Sequence, residues 1–316
     1  WVKQRYDLVV AKEMINFVPG IVPGIGMAMN CFTQKGDKVM IQPPVYHPFA
    51  WVTTRNERTL VINPLKWENG MYRMDLDAFR EQIKGCKLFI LCNPHNPGGV
   101  VWTEAELRAI ADICYDEKVL VFSDEIHADL TLPPHTHRPF ATVSEKARMN
   151  SVTFMSPSKA FNMPGLSASH ALIFNEDLRK RFRIYMDAGE LDMGHVFAFL
   201  SVEAAYSHGT EWLDQCLAYI QGNIDFVDEF LKKHAPKIKA IRPEASYLVW
   251  LDCRELELSQ KDLNEFFVDK AHLALNDGEM FGKEGIGFMR LNVASPRCII
   301  EKAMKQLADA YQLYIK

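Results

Sequence analysis

The sequence predicts an α/β fold, a mostly parallel sheet with helices on both faces, followed by a smaller C-terminal α+β domain. Three observations carry this expectation. Short apolar, β-branched runs recur with little polar alternation; amphipathic helical patterns lie between several of them; and near Trp212 one long helical stripe replaces the alternation.

The runs are "KVMIQPP" from Lys38, "TLVINPL" from Thr59, "KLFILCNP" from Lys87, "VLVFSDE" from Val119, "SVTFMSPS" from Ser151 and "HALIFN" from His170. Each ends in turn or polar residues, and the lack of alternation is that of strands covered on both faces. Between the third and fourth, "TEAE" from Thr103 forms a capping box, and Leu107, Ile110, Ala111 and Cys114 share one helical face. Repeated strand–helix–strand units of this kind gather functional groups at the carboxyl ends of the strands.

From Trp212 a long helix presents Leu213, Leu217, Ile220, Ile224, Val227 and Leu231 on one stripe. "ASYLVWLD" and "GFMRLNVA" read as strands, and Ser295-Pro296 opens a last helix with Ile300, Ala303, Met304 and Leu307 facing inward. The large domain is therefore assigned to residues 1–208, and the linking helix and small domain to 209–316.

A chain of 316 residues with 48% hydrophobic side chains can bury two cores. Its net charge of −4 gives no basic footprint for nucleic acid, and no apolar stretch approaches the ~20 residues of a membrane span. A soluble, cytoplasmic protein without a nucleic-acid or membrane partner is expected. Seven cysteines scattered without a C-x-x-C pair suggest neither a disulfide framework nor a zinc site. His135 and His137 have metal-like spacing, but they stand in a Pro-rich segment without a further cluster, so a structural role is expected and no metal. The chain opens on Trp1 with no initiator Met and no signal-peptide layout, so a segment upstream, able to carry site residues, is expected to be missing.

Three strand ends draw attention. Asn96 projects from the turn-rich "NPHNPGG", Asp124 closes an apolar run where an unpaired carboxylate is costly, and Lys159 follows in "SPSK". Any one of them has a bland structural reading. An amide, a carboxylate and a lysine on one sheet edge point to a site.

"NPHNPGG", "SDEIH", "SPSKAFNMPGL" and "RLNVASPR" resemble the motifs of the class I/II aminotransferase superfamily, the fold-type I enzymes dependent on pyridoxal 5'-phosphate. "DEIH" followed by "ADL", with "PPVYHPF" and "PSKAFN", is similar to its cystathionine β-lyase or C–S lyase branch, which includes a maltose-regulon modulator. His127 stands where ordinary aminotransferases more often have tyrosine.

The resemblance implies that Lys159 is the catalytic residue that carries the cofactor and removes the α-proton, and that Asp124 pairs with the pyridine nitrogen. It implies that Asn96 bonds the ring's phenolic oxygen, that Tyr46 stacks on the ring, and that His127 belongs to the cofactor site. The phosphate is expected at the hydroxyls of Ser156 and Ser158 and at the backbone of Ile21 and Val22, after the turn at Gly20. Ser167 occupies the position where many relatives place an arginine for the phosphate. Arg290 is expected to grip the substrate α-carboxylate, a bidentate task suited to guanidinium. A homodimer with shared active sites is implied as well.

The leading function is a β-lyase acting on cystathionine or cysteine S-conjugates, releasing a thiol, pyruvate and ammonia. An aminotransferase of an amino acid is the alternative. A regulatory protein that binds a transcription factor is the third.

Overall fold

Among the described residues, 1–314 of the computed structural model, thirteen strands form three sheets. In chain order they are β1 (Ile15–Val18), β2 (Lys38–Ile41), β3 (Thr59–Ile62), β4 (Lys66–Glu68), β5 (Met71–Arg73), β6 (Cys86–Cys92) and β7 (Leu120–Asp124). They continue with β8 (Ser151–Met155), β9 (Ser169–Leu172), β10 (Lys239–Ile241), β11 (Leu248–Asp252), β12 (Asn276–Asp277) and β13 (Phe288–Asn292).

The first sheet has the order β1-β9-β8-β7-β6-β2-β3. Neighbours from β8 to β3 are parallel, whereas β9 runs antiparallel to both β8 and β1. All six apolar runs of the sequence are strands of this sheet. Two features were not anticipated: "HALIFN" holds the one reversed strand, and "INFV" supplies the edge strand β1.

The two faces of the sheet explain why these runs lack alternation. Phe89, Leu91 and Val121 point to one side, against Phe79, Leu107 and Ile110. Leu88, Ile90, Phe122, Val152 and Phe154 point to the other, against Ile25, Met29 and Phe182. Each fully buried side chain of this size contributes roughly 1.5–3 kcal/mol of transfer free energy. The helix Glu104–Asp116 that covers one face starts at the expected box: Thr103 Oγ1 accepts from the Glu106 amide at 3.2 Å and Glu106 Oε2 from the Thr103 amide at 2.8 Å.

The second sheet, β10-β11-β13-β12, is antiparallel throughout. It packs against the long helix Thr210–His234 and the last helix Arg297–Tyr314, whose inward stripes share one core through Leu213, Ile220, Val227, Ile300, Met304 and Leu307. Trp250 of β11 instead stacks on Phe288 and enters the core of the first sheet, which ties the two sheets together. Among the described residues, no helix is long and apolar enough to cross a membrane.

Candidate active site

Parallel strands deliver their following residues to one edge, and the register shows how closely. Cys92, the last residue of β6, pairs with Asp124, the last of β7, and Asp124 pairs with Phe154 of β8. The loops after β6, β7 and β8 therefore start side by side. β1 ends at the same edge and turns at Gly20, and the reversed β9 begins there, with Ser169 beside Val18. A cavity of about 460 Å³ opens above this edge, closed on its far side by β11–β13.

Asp124 lines the floor of that cavity and is 4% exposed. Its Oδ1 accepts from the Ile126 amide at 3.1 Å. Burial pushes its carboxyl up to about 7, with the neighbouring Glu125 charge adding and Lys159 opposing. Glu125 points the other way and pairs with His137 Nε2 at 2.8 Å, both side chains fully buried, while also accepting from Ser123 Oγ and the Phe140 amide. His137 is thus a core partner of a carboxylate. His135 lies apart, 3.7 Å from Glu244.

Lys159 reaches the cavity from the loop after β8. Ser158 lines the wall beside it, but Ser156 does not: it sits behind, donating to the Ala168 carbonyl at 2.7 Å and lying 2.8 Å from Ser158 Oγ. The Ser158 amide closes the turn on Ser156 Oγ at 3.1 Å. The geometry gives Ser156 the task of holding Ser158, whereas Ser167 and Ser169, from the end of the same loop, do line the cavity.

At that end the helix Ile21–Phe32 begins. Gly20 adopts φ 129° and ψ 158°, a region open almost only to glycine, and no side chain caps the helix. Ile21 and Val22 line the cavity at the uncapped N-terminus of this helix, a position favourable for an anion.

Arg290 enters from β13. Its Nη1 donates to Asn96 Oδ1 at 2.9 Å and its Nη2 to Asn276 Oδ1 at 2.7 Å, while Nε is buried without a partner. Burial lowers its guanidinium to about 10. Phe281 lies under it, 4.6 Å from the guanidinium carbon to the ring centre.

Tyr46 and His127 complete the wall. Burial pushes the His127 imidazole down to about 3, with Lys159 and Arg290 adding to the effect, and its Nδ1 is buried with no partner. All the sequence-derived candidates except Ser156 line one cavity. Three further wall residues, His47, Asn276 and Asn292, carry no sequence signal of their own. His47 follows Tyr46 in a motif already noted, and that adjacency was the only available hint.

These residues fit a planar, phosphate-bearing pyridine. Asp124 is a buried carboxylate that a ring N–H would satisfy, His127 Nδ1 is an orphaned polar atom, and uncapped amides with the Ser158, Ser167 and Ser169 hydroxyls offer donors to a phosphate. Lysine supplies the one amine on the wall.

Residues 1–307 match the family model described as aminotransferase class I and II. The chain is 38% identical over 312 residues to the cystathionine beta-lyase PatB of Bacillus subtilis, covering 98% of this chain and 81% of that one. It is 29% identical over 313 residues to the protein MalY of Escherichia coli, covering 98% and 80%. The solved structure of cystalysin from Treponema denticola, which contains a pyridoxal 5'-phosphate cofactor, superposes with a TM-score of 0.96 at 34% identity, over 99% of this chain and 80% of that one.

Proposed function

The chain belongs to the aminotransferase class I and II family, and from that premise we propose that it is a pyridoxal-phosphate-dependent carbon–sulfur β-lyase. Its substrates are cystathionine or cysteine S-conjugates, and its products are a thiol, pyruvate and ammonia. The observation that carries the chemistry is the convergence of Lys159, Asp124 and Arg290 on one cavity. The choice of lyase over aminotransferase follows the relationship to PatB and cystalysin.

When bound, the cofactor supplies an aldehyde that condenses with amines and a ring that accepts the electron pair left on the α-carbon. Lys159 is the residue that would hold it. Asp124 would keep the ring nitrogen protonated, and Asn96 and His127 line the same space from the neighbouring loops after β6 and β7. Tyr46 offers a flat aromatic face, while Ile21, Val22, Ser158, Ser167 and Ser169 would anchor the phosphate. Ser156 acts through Ser158.

Arg290 would bind the substrate α-carboxylate, exchanging part of its present bonding to the two asparagine amides for a charge-assisted pair. Lys159 Nζ, once free, would take the α-proton. The departing sulfur leaves with a proton, and water completes the balance: the S-conjugate and one water give thiol, pyruvate and ammonium.

The domain division at 208/209 belongs to this reading, with the cofactor held by the first sheet and the substrate carboxylate by the second. So does a homodimer. Met193, Val196, Phe197, Phe199 and Leu200 are each at least half exposed in one short segment, an apolar surface of the kind that assembly covers. A cytoplasmic location suits an enzyme of this kind.

The test is pyruvate release from cystathionine or S-methylcysteine by the purified protein, without a keto acid present. Turnover that depends strictly on an added keto acid would overturn the lyase reading in favour of transamination.

A further inference from the structure

The short helix Val2–Tyr6, with Trp1 before it, bridges two loops that serve the site. In the loop after β7, Asp129 follows His127 by two positions and is 4% exposed. Its Oδ1 accepts from Trp1 Nε1 at 2.9 Å and from the Tyr6 hydroxyl, and Arg5 Nε stands 3.6 Å away. One carboxylate oxygen thus gathers three side chains.

In the loop after β8, Phe161 follows Lys159 by two positions. Trp1 meets the Phe161 ring edge-on at 5.7 Å between centres and itself stacks on Tyr206 at 4.9 Å, while Trp212 stacks on Phe161 at 5.7 Å. The Phe161 amide donates to the Pro157 carbonyl and the Met163 amide to the Ser158 carbonyl, both at 2.9 Å, with Lys159 inside the turn they close. A shift of the Phe161 ring therefore disturbs the turn that presents the amine.

None of Trp1, Tyr6, Asp129 and Phe161 lines the cavity, so none touches the reacting atoms. Packing alone does not call for a carboxylate at position 129, because apolar side chains of like volume commonly serve a buried position as well as a charge does. What a carboxylate adds is direction: its lone pairs fix where the indole and the phenol stand. The Tyr6 ring also meets the His137 imidazole edge-on at 5.4 Å, and His137 is the partner of Glu125. The clasp touches the surroundings of Asp124 at one end and those of Lys159 at the other.

We propose that Asp129 is a positioning residue for Lys159, acting through Trp1 and Phe161 to hold the loop 156–168 in the conformation that presents the amine to the cavity. The proposal rests on Lys159 as the attachment point of the cofactor and is independent of the choice between lyase and aminotransferase. Without the clasp the loop samples other conformations. Apparent cofactor affinity then falls with the fraction of chains that remain competent.

The experiment compares wild type, Asp129→Asn, Phe161→Leu and the double variant with Ile110→Val, a loss of packing on the helix Glu104–Asp116, each well below its unfolding temperature. Borohydride reduction and peptide mass measurement first place the cofactor on Lys159 of the wild type. Label absent from Lys159 overturns the attachment reading and this proposal with it. In Asp129→Asn and Phe161→Leu alike, hydrogen exchange at the Phe161 and Met163 amides quickens, and the cofactor binds about tenfold more weakly in fluorescence titrations. The double variant is no weaker than the weaker single one, because both changes cut one path. Ile110→Val loses thermal stability and keeps wild-type exchange in the loop and wild-type cofactor affinity. Should Asp129→Asn fail to fold, Tyr6→Phe takes its place, removing one donor and leaving the carboxylate, with smaller shifts in the same direction. Variants that lose thermal stability while loop exchange and cofactor affinity stay at wild-type values, or single effects that multiply in the double variant, overturn the proposal and leave the Lys159 assignment standing.

Discussion

Arg290 and Asn96 are 194 positions apart in sequence and joined by a 2.9 Å hydrogen bond between the two sheets. The guanidinium is held in the cavity by two neutral amides, Asn96 and Asn276, with Phe281 beneath it. Arg290→Lys keeps the charge but loses the fork. We expect kcat/KM to fall about 100-fold, mostly through KM, because a point charge replaces a bidentate contact. Steady-state kinetics with S-methylcysteine checks this, and an unchanged KM would remove Arg290 from carboxylate binding.

Lys159→Ala should leave the fold intact and abolish covalent attachment. Borohydride reduction followed by intact-mass measurement should add the cofactor mass to the wild-type chain and not to the variant. Turnover should drop by about 1,000-fold or more, the range associated with loss of a positioned general base. Cofactor mass retained on the variant would mean that another amine is the attachment point.

Asp124 makes a prediction about pH. Its carboxyl is raised from the ordinary 3.8 to about 7 in the folded chain, chiefly by burial. Between those values the folded state keeps a proton that the unfolded state has released, so this group makes stability fall as pH rises through the window, with the loss complete above about 7. Urea midpoints of cofactor-free protein, compared between wild type and Asp124→Asn at pH 4.5 and 7.5, should show a smaller decline in the variant. Equal declines would show that Asp124 ionises normally in the folded chain.

Gly20→Ala places a Cβ on a backbone at φ 129° and ψ 158°. The strain should cost about 1–3 kcal/mol of stability, or else turn the first amides of the helix away from the cavity. Either outcome is visible by thermal unfolding alongside cofactor titration. A variant with wild-type stability and wild-type cofactor affinity would contradict it.

His137→Ala should destabilise the chain by about 1–3 kcal/mol, because Glu125 keeps its donors from Ser123 and Phe140 but loses its hydrogen-bond partner on the imidazole while fully buried. Denaturant unfolding measures this. A loss smaller than about 1 kcal/mol would show that the Glu125 carboxylate is satisfied without the imidazole.

The sheet was legible where burial on both faces leaves an unbroken apolar run, as in β2, β6, β7 and β8. It was less legible at its margin. β9 looks like its neighbours because apolarity does not encode direction, and β1 is a four-residue edge strand whose Ile15 is 46% exposed. Asn96, Asp124 and Lys159 could be found because polar groups directly after apolar strands stand out. Ser156 could not be told from Ser158, since both flank one proline and only the turn decides which hydroxyl faces inward. Asn276 was invisible for a different reason: it comes from a two-residue strand and matters only through Arg290.

The reversal of β9 has a consequence for the lysine. Because β8 ends and β9 begins at the same edge, the stretch between them, residues 156–168, leaves the sheet and returns to it, and the Ser156 hydroxyl bonded to the Ala168 carbonyl fastens its neck. Lys159 rides on a loop whose two feet stand side by side on paired strands of the first sheet. We expect this fastened neck to keep the Lys159 amine on one stretch of the cavity wall, which would suit a residue proposed to release a cofactor and recapture it in every cycle.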